Sequence, residues 1–275
     1  MIEQVIEAAR VCWSLGDAPV SLVAARENRV YRVDGPDGPS VLRLHRQGYR
    51  STEEIHSELQ WMEMLAANSM SVPKPVPSQD GTFVKTIHGI VVDMLSWVDG
   101  IPLAKTHVTA DNHYELGCLL AKMHNLNDQW ELPSGFSRPT WDLVGDQPLW
   151  GRFWDNPHLT QEQRKRFLQF RDTARGAIDT MDQPDFGLIH ADLVPDNVLI
   201  DGNQLQLIDF DAVAMVIACL MSPRLLIAVD VRVLAMYWLM QQLKATAQYV
   251  VCSVTRCHCL RQCEPAHISA GIFPE

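Results

Sequence analysis

The chain has 275 residues, with 23 Lys and Arg against 33 Asp and Glu, which gives a net charge of −10. Hydrophobic residues make up 47% of the chain and charged residues 20%, values that are typical of a folded globular protein and exclude wholesale disorder. The acidic balance argues against a nucleic-acid partner, because neutralising the phosphates of a nucleic acid requires a basic face.

The first residues predict an amphipathic helix over 2–14, since Glu3 and Glu7 stand where a secretory signal would be basic and then apolar. Cys12 and Cys118 lie alone within apolar patterns, which is typical of reduced core residues. Charged residues and a proline interrupt the apolar stretch 212–240, so no membrane partner is expected. Together these features predict a cytoplasmic protein.

A small sheet with one inserted helix is predicted in the first hundred residues. Ser51 and Glu54 have the spacing of a capping box, which predicts that a helix begins there and runs over 52–66. The extended segments predicted around this helix are strands at 21–33 and 40–45, a linker at 72–78 and a hairpin at 82–98 that turns at His88 and Gly89.

Helices dominate the predicted second part. Helical periodicity covers 110–125, and a second capping box at Thr160 and Gln163 predicts a helix that ends near residue 180. The connection 127–159 is long and rich in Trp, which is unusual for a structureless loop. Its tryptophans either line a substrate pocket or pack the inserted segment, and packing is the favoured interpretation: Trp130, Trp141, Trp150 and Trp154.

The chemistry-bearing residues fall within 187–211, a segment that predicts a strand, a loop, a strand, a turn and a strand. His190 and Asp192 are followed by Asn197, and a hairpin then returns the chain to Asp209 beside the same loop. Two carboxylates and one amide oxygen therefore converge. Hard oxygen ligands of this kind suit Mg²⁺, and phosphoryl transfer needs metal charge, in-line positioning and a carboxylate that orients the attacking hydroxyl.

These motifs resemble those of the aminoglycoside phosphotransferase family, which includes choline and homoserine kinases. The resemblance rests on H-A-D-L-V-P-D-N followed by I-D-F-D, and it extends to E-N-R-V-Y, V-L-R-L, S-E-L, M-L-S-W-V-D-G and L-G-C-L-L-A-K-M-H. It implies an α+β, bilobal, protein-kinase-like fold. A nucleotide-binding lobe with an antiparallel sheet and one key helix is expected over 1–97, and a mostly helical catalytic lobe over 98–211.

The resemblance also implies roles for individual residues of the catalytic loop. Asp192 would orient the substrate hydroxyl and accept its proton, and His190 would brace the loop. Asn197 and Asp209 would hold Mg²⁺.

In the nucleotide lobe, the resemblance implies that Arg43 contacts the phosphates of ATP and pairs with Glu58. Ser96 and Val98 would offer backbone hydrogen bonds to adenine. The alternatives are that Arg43 is a surface residue of its strand and that Glu58 is an ordinary solvated residue of its helix. The chain has no Gly-rich loop, and Ala24–Asn28 occupy its place, which leaves open how the phosphates are covered.

The function implied is an ATP- and Mg²⁺-dependent phosphotransferase acting on the hydroxyl of a small molecule such as an amino alcohol, homoserine or an aminoglycoside. One alternative within the same fold is a bacterial stress-response Ser/Thr protein kinase. Another is an inactive product that binds nucleotide without turnover.

The last alternative arises from the composition of residues 212–275. They contain three acids, five bases and five of the seven Cys, a change from the acidic chain before them. Back-translation read from the third base of the Asp211 codon permits G-Y-G-Y-R-L-F-D-V-A, which is in register with the pattern that follows D-F-D in the family. We therefore interpret 212–275 as an anomalous tail that is out of frame, the competing interpretation being a genuine but unusual subdomain.

Overall fold

A computed structural model describes residues 1–140, 145, 152–180 and 186–217. Four α-helices are found in this part of the chain: α1 (Ile2–Cys12), α2 (Thr52–Ala67), α3 (Ala110–Gln129) and α4 (Gln161–Asp179). The strands in the same part are β1 (Val20–Ala25), β2 (Arg29–Gly35), β3 (Gly38–Leu44), β4 (Val84–Ile87), β5 (Ile90–Ser96), β6 (Ile101–Pro102), β7 (Phe186–Ile189), β8 (Val198–Asp201), β9 (Gln204–Leu207) and β10 (Ala214–Ile217).

The first five strands form one antiparallel sheet in the order β1-β2-β3-β5-β4. Side chains alternate across a strand, so neighbours in β3 serve different faces. Leu42 and Leu44 are buried with α1 residues such as Val5, whereas Arg43 contacts Glu58 of α2. Helices α1 and α2 therefore cover opposite faces of the sheet, and the α2 face carries the charged residues.

The predicted strand 21–33 is wrong as a single element, because the structure divides it into β1 and β2. The chain turns back through Arg26–Asn28, where the Arg26 N–H donates to the Asn28 carbonyl. Neither Gly nor Pro marks this turn, and Asn28 is its one turn-favouring residue. The linker and the hairpin are confirmed, and His88 and Gly89 both take positive φ, as a two-residue hairpin turn requires.

Both predicted capping boxes are confirmed. The Ser51 hydroxyl accepts from the Glu54 N–H while the Glu54 carboxylate accepts from the Ser51 N–H. Thr160 and Gln163 exchange the equivalent pair of bonds before α4. These bonds satisfy backbone donors that a helix N-terminus leaves free.

The second part of the chain contains the strands that flank the predicted catalytic loop. Strands β6, β8 and β9 form a small sheet, and β7 pairs with β10. Gly100 sits just before β6 with φ of +137°, and a Cβ there would lie 3.0 Å from the Ile200 carbonyl oxygen and from the Leu199 Cβ. Only Gly permits the segment that leaves β5 to approach β8 so closely.

One apolar core joins the two parts. Trp61 of α2 packs edge-on against Phe210 with ring centroids 5.5 Å apart. Its indole N–H donates to the Asn127 side-chain oxygen, and the Asn127 amide donates to the Leu188 carbonyl. Helix α2 is thereby tied to α3 and to the strand that leads into the catalytic loop.

Of the predicted tail, 218–275 lie outside the described residues, and so do Trp141 and Trp150 of the tryptophan cluster. Residues 214–217 form β10 against β7. Trp154 is 1% exposed and stacks beneath the guanidinium groups of Arg152 and Arg171, which favours the packing interpretation for that residue. No helix in the described part of the chain is long and apolar enough to cross a membrane.

Candidate active site

The predicted catalytic loop leaves β7 at Ile189 and is held by its own backbone. His190 is fully buried, its Nε2 donates to the Ile208 carbonyl at 2.9 Å, and its ring lies 4.6 Å from that of Phe210. Burial lowers the pKa of His190 to about 4, so the imidazole is neutral near pH 7 and is not a proton donor to substrate. Its position fits the bracing role expected from the sequence.

Asp192 and Asn197 are brought together as predicted. The Asn197 side-chain amide donates to the Asp192 carbonyl at 2.9 Å and to its Oδ2 at 3.1 Å. The Asn197 carbonyl accepts from the Ile208 N–H at 3.0 Å, which links this loop to the residue that precedes Asp209. Since Asn197 uses its nitrogen for Asp192, its side-chain oxygen is left for another partner.

Asp209 stands in a left-handed backbone conformation, with φ of +64°, at the end of the β8–β9 hairpin. It is exposed to solvent, and its carboxylate makes no hydrogen bond or ion pair with the described residues. Partial desolvation, followed by repulsion from Asp211, Glu58 and Asp192, raises its pKa to about 6, against an opposing attraction to Arg43. Asp209 therefore lies in a field of like charge.

Asp211 adds to this negative field. It is buried, its Oδ1 has no hydrogen-bond partner among the described residues, and burial together with Glu58 raises its pKa. Carboxylates held close together without a bound cation are costly. The donor set of Asp209, the Asn197 side-chain oxygen and the neighbouring carboxylates fits a hard divalent ion that keeps several waters. No group of three or more His, Cys, Asp or Glu side chains that could hold a metal ion is found in the described ranges.

Arg43 is not a surface residue, and the alternative that placed it there is wrong. Its Nη1 donates to Glu58 Oε1 at 2.7 Å, while Nε and Nη2 donate to the two oxygens of Asp93 at 2.8 and 2.6 Å. Glu58 and Asp93 are both 0% exposed, so the alternative of a solvated Glu58 is wrong as well. The expected Arg43–Glu58 pair is present, and three of the guanidinium's five N–H groups are used within the protein.

Two members of this charged centre were missed by the sequence reasoning. Asp93 lies opposite Arg43 in the β3–β5 register and also accepts from His45 Nε2 at 2.8 Å. Burial favours the neutral form of Asp93, but Arg43 and His45 outweigh it and hold the pKa of the carboxyl below its ordinary value. A single Asp in an otherwise apolar strand, D-M-L-S, is the feature of the sequence that could have indicated a buried charge. Its partner was not predictable, because Asp93 meets Arg43 only through the β3–β5 register.

Arg138 is the second member of the charged centre that the sequence did not reveal. Its side chain is buried and donates to the carbonyls of Val213, Asp211 and Glu54 at 2.8, 2.7 and 3.0 Å. Its Nη1 also lies 3.5 Å from Glu58 Oε2. Arg138 thus ties the first turn of α2 to the segment that follows Asp209, and it falls in the irregular connection where no sequence pattern marked it.

Part of the segment that is expected to contact adenine already forms hydrogen bonds within the protein. The Ser96 N–H donates to the Lys74 carbonyl at 2.7 Å, and the Ser96 hydroxyl accepts from the Lys74 N–H at 2.8 Å. Ser96 therefore cannot offer its N–H to adenine in this conformation, and its carbonyl is the group left for that role. Val98 is half-buried after the end of β5.

Residues 20–215 match the sequence model of a family described as the phosphotransferase enzyme family. The chain is similar to amicoumacin kinase of Bacillus subtilis (strain 168), with 26% identity over 217 residues that cover 76% of this chain and 62% of that protein. It is also similar to homoserine kinase of Rhizobium etli (strain CIAT 652), with 30% identity over 192 residues that cover 67% of this chain and 56% of that protein. The chain thus spans 56–62% of the length of these two relatives.

Among solved structures, the chain is similar to a microcompartment-associated aminopropanol kinase. The TM-score is 0.73 and the identity 27%, and the match covers 95% of this chain and 82% of that one. The α+β fold expected from the resemblance is therefore confirmed.

Proposed function

The chain belongs to the phosphotransferase enzyme family that its residues 20–215 match, and we propose that it transfers the γ-phosphate of ATP to a hydroxyl group of a small molecule. Asp192 acts as the base, His190 braces its loop, and Asn197 and Asp209 hold Mg²⁺. The activity is proposed for a chain that matches only part of the length of its relatives.

The observation that carries this proposal is the bond between Asn197 and Asp192 together with the open carboxylate of Asp209. The Asn197 amide fixes Asp192 Oδ2 from one side at 3.1 Å, so the carboxylate is oriented before a substrate arrives. A positioned carboxylate of this kind lowers the barrier by accepting the hydroxyl proton as the new P–O bond forms. When bound at Asn197 and Asp209, Mg²⁺ would supply positive charge for the phosphate oxygens.

The nucleotide is proposed to lie between the β1–β2 turn and the segment after β5. The Ser96 carbonyl and the Val98 backbone are the groups for adenine, and Arg43 is the cation expected near the phosphates. Because Arg43 keeps two N–H groups beyond its bonds to Glu58 and Asp93, it can donate to a phosphate without leaving either carboxylate.

For the acceptor, we propose an amino alcohol. Homoserine and aminopropanol, named in two of the similar proteins, each carry an amino group and a hydroxyl. The negative field of Asp192, Asp209 and Asp211 favours an acceptor with a positive charge. An aminoglycoside carries the same two groups on a larger frame and is the second candidate.

The test is phosphate transfer by the full 275-residue chain with ATP and Mg²⁺, followed by mass spectrometry of the product. Homoserine, aminopropanol and an aminoglycoside are compared with 2-aminobutyrate and propylamine, which lack the hydroxyl. A product 80 Da heavier only with hydroxyl-bearing compounds supports the proposal. Incorporation into a Ser- or Thr-containing protein instead would favour the protein-kinase alternative.

The inactive-product alternative depends on the tail. The family match ends at residue 215, close to Asp211, where the composition changes, and this supports the proposed frameshift. Sequencing the gene from the codon of Ile208 to the stop decides between the two readings of the tail. A restored base would give a chain that continues the family pattern, and substrate screening would then use that chain, whereas an unchanged sequence combined with ATP binding but no transfer would favour the inactive product.

A further inference from the structure

A cavity of about 310 Å³ lies in the nucleotide lobe, and His45, one of its lining residues, connects it to the charged centre of Arg43 through Asp93. It is lined by residues 45–48 and Arg50, which lie between β3 and α2, by Gly89 of the β4–β5 turn and by Val91 of β5. The loop is anchored at both sides: the Arg46 N–H donates to Asn28 Oδ1 of the β1–β2 turn, and the Gln47 side-chain amide donates to the Gly89 carbonyl at 2.8 Å. The cavity is therefore part of a defined loop structure and not of a loose edge.

Two residues that line this cavity each have a buried nitrogen without a hydrogen-bond partner in the described part of the chain: His45 Nδ1 and Arg50 Nε. The side chains of His45 and Arg50 are 3% and 9% exposed. A buried polar nitrogen that lacks a partner costs free energy, so two of them beside one cavity indicate that a ligand supplies the missing bonds.

The charge of the cavity indicates the sign of that ligand. Arg46 and Arg50 both line it, and Arg46 is exposed. Two carboxylates lie near these side chains: Asp93 Oδ2 is 2.8 Å from His45 Nε2, and Glu54 Oε1 forms an ion pair with Arg50 Nη1 at 3.9 Å, which is longer than a hydrogen bond. His45 directs its Nε2 to Asp93, so Nδ1 is the ring nitrogen that remains for a ligand.

We propose that residues 45–50 form a binding site for a phosphate group, held by Arg46, the Arg50 Nε–H and His45 Nδ1. Two arginines and an imidazole around one cavity match an anion that accepts several hydrogen bonds in different directions, as a tetrahedral phosphate does. The chain lacks a Gly-rich loop between β1 and β2, and the anchored 45–50 loop adjoins that turn through Asn28. The phosphate belongs either to the bound nucleotide or to a separate phosphorylated compound.

Binding of inorganic phosphate and of pyrophosphate to the full chain tests this site by calorimetry, and the readout does not require phosphoryl transfer. Arg46→Gln removes an exposed side chain, and Arg50→Lys keeps the charge but removes the Nε–H. Each is expected to weaken phosphate binding by about tenfold, the effect of losing one charged hydrogen bond. Arg166→Gln is the matched control, since it removes the same charge from an exposed i,i+4 pair of α4 and should leave binding unchanged.

The affinities for ADP and adenosine identify the source of the phosphate. Weaker ADP binding with unchanged adenosine binding in both variants assigns the site to the nucleotide, whether or not free phosphate binds measurably. Weaker phosphate binding with unchanged ADP binding assigns it to a separate phosphorylated compound. If phosphate, pyrophosphate and ADP affinities are the same in both variants as in the parent chain, or if Arg166→Gln weakens binding as much, the site is not a phosphate site. These binding measurements do not require phosphoryl transfer, so they test the phosphate site even if the chain phosphorylates no acceptor.

Discussion

Two charged regions lie close enough to interact, since Arg43 and Glu58 both act on Asp209, and they differ in how their charges are balanced. Around Arg43 every charge is matched: Asp93 and Glu58 are fully buried and accept three hydrogen bonds from the guanidinium. Around Asp209 the negative charges prevail, since burial and repulsion from Asp211, Glu58 and Asp192 raise the pKa of its carboxyl against the attraction of Arg43. The first region therefore pairs its charges within the protein, whereas the second has an excess of negative charge that a cation would balance.

This difference distinguishes charged residues that stabilise the fold from charged residues that are expected to bind a ligand. Buried ion pairs contribute little net stability, but breaking one partner is expensive because the other remains buried and unpaired. An unmatched carboxylate at a solvent-exposed position has the reverse character, since its replacement relieves repulsion and its cost falls on ligand binding. Substitutions in the two regions should therefore be distinguished by whether they change stability or activity.

The largest effect on activity is expected for Asp192→Asn in the region around Asp209. Loss of the base should lower the rate of phosphoryl transfer by about 10³-fold, while ATP binding and the free energy of unfolding stay nearly unchanged. Steady-state kinetics with the acceptor that the parent chain prefers, together with calorimetric binding of ADP, measures both quantities. Equal losses of transfer and binding would remove Asp192 from its assigned role.

On the matched side, Asp93→Asn should lower the free energy of unfolding by roughly 3–5 kcal/mol, because Arg43 and His45 both lose their buried carboxylate. Urea denaturation followed by circular dichroism measures the change. Asp34→Asn is the control, because its carboxylate pairs with Arg32 on an exposed part of β2, where such pairs contribute little. Comparable losses in the two variants would mean that the charged centre is not specially stabilised.

The two regions also differ in how far the sequence could predict them. Asp192, Asn197 and Asp209 lie within eighteen residues, and local spacing was enough to bring the three together. Asp93 lies fifty residues from Arg43 in the sequence and meets it only through the β3–β5 register. A register of this kind depends on which strands become neighbours, and local pattern carries no information on that choice.

Local signals were likewise reliable where a side chain bonds its own neighbours. The Ser51–Glu54 capping box fixed the start of α2 from four residues of sequence. The turn at Arg26–Asn28 and the side chain of Arg138 had no such signal, because the first lacks Gly or Pro and the second binds carbonyls more than seventy residues away. Sequence reasoning thus found the residues that we propose to contact ligands and missed Asp93 and Arg138, which bind other residues of the charged centre.

His190 provides a smaller effect that tests whether the catalytic loop is held as a neutral, structural unit. Its folded-state pKa of about 4 is depressed from 6.5, so the unfolded chain binds more protons between these values. The free energy of unfolding should therefore fall as the pH drops from 6.5 to 4, by roughly 3 kcal/mol from this group. His190→Gln, which can still donate to the Ile208 carbonyl, should lose that part of the slope, and an unchanged slope in urea titrations would contradict the buried neutral imidazole.

The smallest expected effect concerns the unmatched carboxylate itself and its competition between protons and metal. Since the pKa of Asp209 is raised to about 6, a metal ion must displace a proton below that pH but not above it. Apparent Mg²⁺ affinity should be nearly constant above pH 7 and should fall by about tenfold per pH unit below 6. Calorimetric titrations of Mg²⁺ between pH 5 and 8 measure this dependence, with Asp201→Asn on the exposed end of β8 as the control.

Asp209→Asn should bind Mg²⁺ weakly at every pH, because an amide neither titrates nor carries the charge that the ion needs. A pH dependence that survives in Asp209→Asn would place the titrating group on Asp211 instead, whose pKa is raised by burial and by Glu58, and would place the metal at that buried carboxylate.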